Sequence, residues 1–155
     1  MWVLQLGSSL LGYATFPAGT GLTGLSAPFG STTTDGVVMG YNYFGSIGAA
    51  ASSAPYNKGR TTTHEVGHWM NLRHIWGDAT CGSDLVSDTP THNAANNGMP
   101  VFPHYSTCTG TPIEMTMNYM DYTDDAGMYM FSNGQKSRML AIFASGGSRF
   151  SFAQP

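Results

Sequence analysis

The first third of the chain consists of short apolar runs separated by Gly, Pro, Ser and Thr. Three of these runs, residues 2–6, 11–16 and 36–44, have the composition of β-strands. Residues 37–44 are largely apolar, which predicts a central strand or a strand that lines a cleft. Val3, Leu4 and Leu6, followed by a Gly-rich turn, predict a buried strand near the start.

Residues 1–14 also allow a second interpretation. This stretch has about the apolar length of a secretory signal peptide, but it lacks the basic residues of one, since the first Lys or Arg of the chain is Lys58. We therefore favour the strand. No apolar run reaches the roughly 20 residues of a membrane-spanning helix.

Two helices are predicted further along. The first covers residues 60–70, and three threonines are candidates for its N-cap: Thr61, Thr62 and Thr63. The second covers residues 132–145, with Ser132 and Gln135 in the spacing of a capping box. Gly146 and Gly147 end it, and its buried face is predicted to contain Met139, Leu140, Ile142 and Phe143. Residues 71–130, between the helices, have the composition of loops.

Composition limits the fold and the partners. The chain has 155 residues, 41% apolar and only 10% charged, with 20 Gly and 8 Pro. This predicts a single globular α+β domain with much loop and turn. The formal net charge of −3 gives no electrostatic reason to expect nucleic acid or an anionic membrane as a partner.

The chemistry is concentrated in the segment HEVGHWMNLRH, residues 64–74. His64 and His68 lie one helical turn apart, so both imidazoles reach the same metal ion from one face of a helix. Glu65 lies beside them and suits a general base that takes a proton from water. His74 joins them only if the chain turns after the helix. Three histidines leave a fourth position open for water, which is typical of catalytic zinc.

The turn after the helix has a conformational requirement. In the long zinc signature HExxHxxGxxH the eighth position is glycine, which adopts a left-handed backbone without a Cβ penalty. Here that position is Asn71. Asn tolerates the left-handed region better than other non-glycine residues, so the third histidine is still predicted to return to the metal.

A second motif follows at residues 118–125, NYMDYTDD. Together with HEVGHWMNLRHIWGD and DTP it resembles the pappalysin family of metzincin zinc metallopeptidases, particularly its cytophagalysin-like branch. The resemblance implies a catalytic domain with a short twisted mixed sheet, an active-site helix, a Met-turn and a C-terminal helix. Its upper subdomain would cover about residues 1–74 and its lower subdomain about residues 75–155. It also implies that Met120 lies under the histidines, that Tyr122 stabilises the reaction intermediate, and that the protein is secreted.

The two cysteines are Cys81 and Cys108. In an exported, loop-rich protein they are predicted to form a disulfide, the alternative being two free thiols. Relatives carry a second pair in this region, and the corresponding positions here hold Met99 and Gly127. Both halves of that second bridge are therefore absent together.

Residues 78–91 gather oxygen-bearing side chains that suit Ca²⁺, and the resemblance implies calcium here. The preferred ligands are Asp84 and Asp88, the alternative being solvated loop acids and Asx-turns. His92 and His104 are expected to be surface or loop histidines rather than a second metal site.

Asp124 and Asp125 follow the Met-turn, where the resemblance places the first primed residue of a substrate. An acidic pocket would favour Arg or Lys at P1′, whereas exposed turn residues would have no such effect.

The sequence thus predicts a zinc endopeptidase that acts on proteins or peptides. Family catalytic domains extend further upstream, so the chain is either a fragment or a minimal version, and an oligomer or partner chain would then cover the exposed face. One alternative is a zinc-holding binding module without turnover; another is zinc hydrolysis of a non-protein substrate.

Overall fold

A computed structural model describes residues 1–7, 10–18, 30–31 and 33–154. Three strands, β1 (Trp2–Leu4), β2 (Gly12–Ala14) and β3 (Val37–Gly40), form a mixed sheet in the order β1-β3-β2. β1 is parallel to β3, and β2 is antiparallel to it. A second, two-stranded parallel sheet pairs β4 (Asn97–Gly98) with β5 (Tyr122–Thr123).

Two α-helices accompany the sheets. α1 covers Arg60–Trp69 and packs against β2 and β3, and α2 covers Asn133–Ala141. Short 3-10 helices occur at Gly48–Ser52, Asp125–Gly127 and Phe150–Ala153. In the described part of the chain, no helix has the length and apolar character needed to cross a membrane. The predicted α+β class is confirmed.

The three predicted strands are present but shorter than expected. β3 is central, as predicted, because it pairs with a strand on each side. The prediction that the first strand is buried is wrong: Val3 and Leu4 in β1 are 45% and 46% exposed. β1 lies at the edge of the sheet, where a strand has a neighbour on one side only.

The start of α1 differs from its prediction. None of the three threonines caps it; the N-cap is Gly59, in a left-handed conformation (φ 75°), without a side-chain cap. A distant carboxylate replaces the cap, since Asp125 Oδ2 accepts the backbone N–H of Lys58 at 2.7 Å and of Arg60 at 3.2 Å. A negative charge is favourable at this end of a helix.

The capping box of α2 is confirmed. Ser132 accepts the N–H of Gln135, whose side chain accepts the N–H of Ser132 in return. α2 ends at Ala141 rather than residue 145, because the following residues form turns instead of a continued helix. Met139 and Ile142 are buried as predicted, whereas Leu140 is 55% exposed, so its predicted burial is wrong.

Two apolar clusters lie on either side of α1. The upper one joins Ala14, Val37 and Met39 of the sheet, against which Val66 and Trp69 of α1 pack. The other cluster joins three residues that follow α1 with Met120 and with Met139 of α2; its members are Leu72, Ile75, Trp76, Met120 and Met139. α1 is therefore fixed by apolar contacts to both halves of the chain.

The predicted disulfide is confirmed, because Cys81 and Cys108 are bonded across a sequence separation of 27. Met99 and Gly127, the positions for which the resemblance implies a second cysteine pair in relatives, are neighbours in space. A Cβ added to Gly127 would lie 3.1 Å from Sδ of Met99. The thioether of Met99 thus lies against Gly127.

A buried ion pair connects Arg149, which follows α2, to Asp35, which precedes β3. The Arg149 guanidinium is 2% exposed, binds both carboxylate oxygens of Asp35 and lies 4.3 Å from the Trp69 ring. Asp35 also accepts the Trp69 Nε1–H at 3.1 Å and the Thr15 hydroxyl at 3.0 Å. Burial by itself would raise the pKa of Asp35, but the hydrogen bonds and charge of Arg149 lower it below its usual value.

We predict that Arg149→Ala lowers the free energy of unfolding by on the order of 3 kcal/mol, because it leaves a largely enclosed carboxylate without its cation. The stability that Asp35 contributes is present above the unfolded pKa of about 3.9 and is lost as pH falls through the lower folded pKa. The difference in free energy of unfolding between parent and variant, measured by urea unfolding, should therefore be largest near pH 7 and decrease in acid. Lys136→Ala, at an exposed cation, is the control. An equal effect of both substitutions would show that burial of the pair does not matter.

The end of α1 confirms the prediction for residue 71. Asn71 has φ 76°, and the N–H of Leu72 donates to the carbonyl of Gly67 as the chain turns. The side-chain oxygen of Asn71 is buried and has no hydrogen-bond partner in the described structure. Asn71 thus combines a left-handed backbone with an unsatisfied carbonyl, and both are unfavourable.

We predict that Asn71→Gly raises the stability of the metal-free protein, whereas Asn71→Ala lowers it by about 1 kcal/mol. Glycine removes both the Cβ and the unsatisfied oxygen. Alanine removes only the oxygen and adopts the left-handed region less readily than asparagine. Urea unfolding of the three proteins measures the order. A glycine variant less stable than the parent would mean that the Asn71 side chain makes a contact the chain needs.

Candidate active site

Three imidazoles meet at the C-terminal half of α1 and the turn that follows it. The metal-binding atoms of His64, His68 and His74 all lie within 4.8 Å of one another. Nε2 of His68 is 3.1 Å from Nε2 of His74. Among the described residues, this is the one group of three or more His, Cys, Asp or Glu close enough to share a metal ion.

The hydrogen bonds of the two helical histidines fix their tautomers. Nδ1 of His64 donates to the carbonyl of Tyr119 at 2.7 Å, and Nδ1 of His68 donates to the carbonyl of Leu72 at 2.8 Å. A carbonyl oxygen only accepts, so the proton is on Nδ1 and the lone pair is on Nε2. The Tyr119 carbonyl belongs to the predicted Met-turn, which therefore orients the first histidine.

For the third histidine, the acceptor at Nδ1 is a carboxylate instead of a backbone carbonyl. Nδ1 of His74 is hydrogen-bonded to Oδ1 of Asp78, and this bond, as the largest cause, holds the pKa of Asp78 below its usual value. The His74 ring stacks on Trp76, with a centroid distance of 4.3 Å and an interplanar angle of 7°. Sequence reasoning placed Asp78 only among loop acids and missed this role. Its spacing four residues after His74 was the available signal.

The electrostatics of the histidines suit a metal. Burial, followed by the neighbouring imidazoles, lowers the pKa of His64 well below its usual value and that of His68 to about 3. Both rings are therefore neutral near pH 7, as metal ligation requires. Three imidazoles whose metal-binding atoms converge match the donor set of catalytic zinc, so the residues present fit this ion.

Glu65 lies beside these nitrogens. It is 8% exposed and lines an open pocket of about 260 Å³ together with His64 and Tyr122. Within the described structure its carboxylate accepts no hydrogen bond. Burial raises its pKa to about 7. Such a group both accepts and returns a proton near neutral pH.

Tyr122 is the other polar side chain at the centre. Its hydroxyl is 3.1 Å from Nε2 of His74, and its ring contacts Trp76 edge-to-face at 4.8 Å. Burial, then the charges of Glu65 and Asp78, raises the pKa of Tyr122, which keeps the hydroxyl protonated. Tyr122 can therefore act as a hydrogen-bond donor next to the three nitrogens.

The predicted Met-turn is present at residues 118–121, where the N–H of Asp121 donates to the carbonyl of Asn118. Met120 is fully buried, and its Sδ would lie 2.5 Å from a Cβ added to Gly67. Any larger residue at position 67 would push the methionine away from α1. Gly67 is thus a site residue that the sequence analysis missed; its signal was a helix-interior glycine, which needs a packing reason.

The turn is held by a buried polar network. Oδ1 of Asp121 accepts the backbone N–H of Tyr122 at 2.9 Å and of Asn96 at 2.8 Å, and the Asn96 side chain also bonds Glu114 at 2.8 Å. His92 lies in a loop, one of the two positions expected for it, but it is fully buried against this network rather than on the surface. Its Nε2 accepts the N–H of Met115 at 3.0 Å. His104 Nδ1 is 3.1 Å from Glu114.

The two residues proposed for substrate binding differ in position. Asp125 lines the pocket, although its Oδ2 is occupied by the backbone at the start of α1. Asp124 does not line it; its backbone N–H donates to the Gly98 carbonyl. Arg60 lines the same pocket, with its guanidinium 5.4 Å from the centre of the Tyr119 ring.

The two residues proposed for calcium do not form a common ligand group with a third acid or histidine among the described residues. Asp84 is buried and accepts the Thr89 hydroxyl at 2.9 Å. Asp88 accepts the Ser132 hydroxyl at 2.7 Å and the Gly134 N–H at 2.8 Å, and so anchors the start of α2.

Comparisons with known proteins agree with this geometry. The sequence model of the pregnancy-associated plasma protein-A family, peptidase family M43, matches residues 20–144. Extracellular metalloprotease 1 of Coccidioides posadasii is 40% identical over 134 residues, and an extracellular metalloprotease of Pyricularia oryzae is 38% identical over 137 residues. These matches cover 86% and 87% of the chain but 45% and 44% of the relatives.

The structure is also similar to that of mature mirolysin from Tannerella forsythia in complex with a cleaved peptide. The TM-score is 0.81 at 46% sequence identity, and the match covers 96% of this chain and 53% of that one. The chain spans about half the length of the relatives it matches. With its three converging histidines, its Met-turn and its fold, the chain belongs to the pregnancy-associated plasma protein-A family of metallopeptidases, the pappalysins.

Proposed function

We propose that the chain is the catalytic domain of a zinc-dependent endopeptidase with Glu65 as general base. The observation that carries the proposal is the state of the Glu65 carboxylate, which is buried at the pocket wall without a protein donor in the described structure. A buried carboxylate in this condition is unfavourable for stability. This unfavourable state is explained if the carboxylate must remain free to transfer protons.

The proposed chemistry assigns one role to each group. The three histidines would hold zinc, and the bound ion would supply a Lewis acid for the scissile carbonyl. Glu65 takes a proton from the attacking water and later returns it to the leaving amine. The Tyr122 hydroxyl donates a hydrogen bond to the negative charge that develops on the carbonyl oxygen.

We propose protein or peptide substrates outside the cell. Support comes from the extracellular metalloprotease names of the fungal relatives and from the cleaved peptide bound to mirolysin. The disulfide between Cys81 and Cys108 is consistent with an oxidising compartment. These features favour the peptidase over the zinc-holding binding module. Calcium at Asp84 and Asp88, the division into two subdomains and coverage of the exposed face by a partner stay predictions.

We predict that Glu65→Ala retains one zinc per chain and lowers the rate of peptide-bond cleavage by at least about a hundredfold, because the ligands remain while the base is lost. A denatured protein mixture is incubated with each zinc-loaded protein, and cleavage sites are read by mass spectrometry. Metal content is measured on the same samples.

Glu65→Gln, which keeps the shape of the side chain, is the matched control and should lose cleavage to a similar extent. Cleavage at the parental rate by both variants would eliminate Glu65 as the base. A parent protein that binds zinc but cleaves nothing would favour the binding module.

A preference for Arg or Lys at P1′ is proposed for the pocket, with Asp125 as the acidic residue that attracts the cation. Its Oδ1 accepts no hydrogen bond within the described structure and so remains available. The positive charge of Arg60 would repel a basic P1′ side chain. The Tyr119 ring, whose centre lies 5.4 Å from the guanidinium, partly offsets this charge through a cation–π contact. The relative effect of the Asp125 and Arg60 charges on the P1′ side chain then decides the specificity at P1′.

We predict that Asp125→Asn lowers the ratio of kcat/KM for Arg over Leu at P1′ by about tenfold, because a charge-assisted contact is lost. The ratio is measured on paired peptides within one variant, so a loss of folded protein cancels. Asp124→Asn is the control and should leave the ratio unchanged. A parental profile without basic preference at P1′ would contradict the specificity proposal but not the peptidase.

A further inference from the structure

The three histidines are not supported in the same way. His64 and His68 project from α1 and are 6% and 7% exposed, so a regular helix and its packing fix their positions. His74 lies beyond the helix end, in a turn, and its side chain is 18% exposed. It therefore needs a support that the helix does not provide.

Two side chains from the residues just after His74 provide that support. The Trp76 ring, 9% exposed, stacks on one face of the imidazole almost in parallel. The Asp78 carboxylate binds Nδ1 at the ring edge. Stacking restricts the ring plane, and the hydrogen bond restricts rotation within that plane.

The backbone that carries Asp78 is shaped for this contact. Gly77 and Asp78 both have left-handed conformations, with φ of 67° and 58°, and the N–H of Gly77 donates to the carbonyl of His74. Arg73 binds the Gly77 carbonyl at 3.2 Å through its guanidinium, which lies 4.0 Å from the second oxygen of Asp78. A Cβ at Gly77 would lie 2.4 Å from the backbone of Ser83, so this turn requires glycine.

We propose that Asp78 is a positioning residue for zinc binding. Its carboxylate holds His74 as the Nδ1–H tautomer and directs the Nε2 lone pair to the point that His64 and His68 also face. Histidine ligands whose second nitrogen donates to a carboxylate are more basic and better oriented than unsupported ones. The inference rests on the proposed zinc site.

The test is the zinc affinity of the full chain, measured by competition with a chromophoric chelator of known affinity. Asp78→Ala should weaken zinc binding by about 10- to 100-fold. Asp78→Asn should weaken it less, because the amide oxygen still accepts the Nδ1–H, but by at least about threefold. Asp124→Asn removes the same charge without a side-chain contact to the histidines in the described structure, and should leave the affinity unchanged.

Thermal unfolding of the metal-free proteins separates positioning from general stability. Asp78 is 43% exposed at its side chain, and Asn tolerates its left-handed backbone, so Asp78→Asn should change the metal-free Tm little while the zinc affinity falls. Asp78→Ala should lower the metal-free Tm as well, because alanine adopts this backbone less readily. A lower metal-free Tm with parental zinc affinity would overturn the inference and give Asp78 a purely structural role. If the alanine variant does not fold, parental affinity of Asp78→Asn has the same meaning.

The outcome also distinguishes this inference from the proposed function. A parent protein that binds zinc tightly and cleaves peptides, beside an Asp78→Ala variant of equal zinc affinity, would refute the role of Asp78 alone. A parent protein that does not bind zinc would refute both.

Discussion

The candidate site depends on three Nδ1–H hydrogen bonds. Each of the three imidazoles donates Nδ1–H to an oxygen, and only then do three Nε2 lone pairs point to one place. The acceptors come from different parts of the chain: the Met-turn, the end of the helix, and the loop after His74. The fold must therefore bring the turn at residues 118–121 up to α1 before the metal site exists. Gly67 permits that approach by leaving space for Met120.

The few charges of this chain are mostly used to hold backbone and side chains in place. Of nine acidic residues, all but Glu65 and Asp124 accept hydrogen bonds through their carboxylates from described residues: Asp35, Asp78, Asp84, Asp88, Glu114, Asp121 and Asp125. Asp124 is partly exposed. Glu65 is buried, so it alone combines burial with a free carboxylate. This contrast separates a group available for chemistry from those that serve the structure.

Much of the site could be predicted because its signals are local. The spacing of His64 and His68 follows from one helical turn, and the left-handed residue at position 71 follows from the need to reverse the chain. The capping box at Ser132 and Gln135 is equally local and was also predicted. The disulfide could be predicted because the chain has only two cysteines, both in a loop-rich region. These features depend on neighbours in sequence, so a single sequence contains the information.

The features that were missed depend on contacts between distant segments. The carboxylate at the start of α1 comes from Asp125, far along the chain, and no nearby residue signals it. The burial of His92 follows from a network with Glu114 and Asp121, whereas the sequence predicted only a surface or loop histidine. Asp125 shows why such contacts matter for function. Its carboxylate both accepts the backbone N–H groups at the start of α1 and lines the pocket, so one residue from a distant segment serves the helix and the pocket at once.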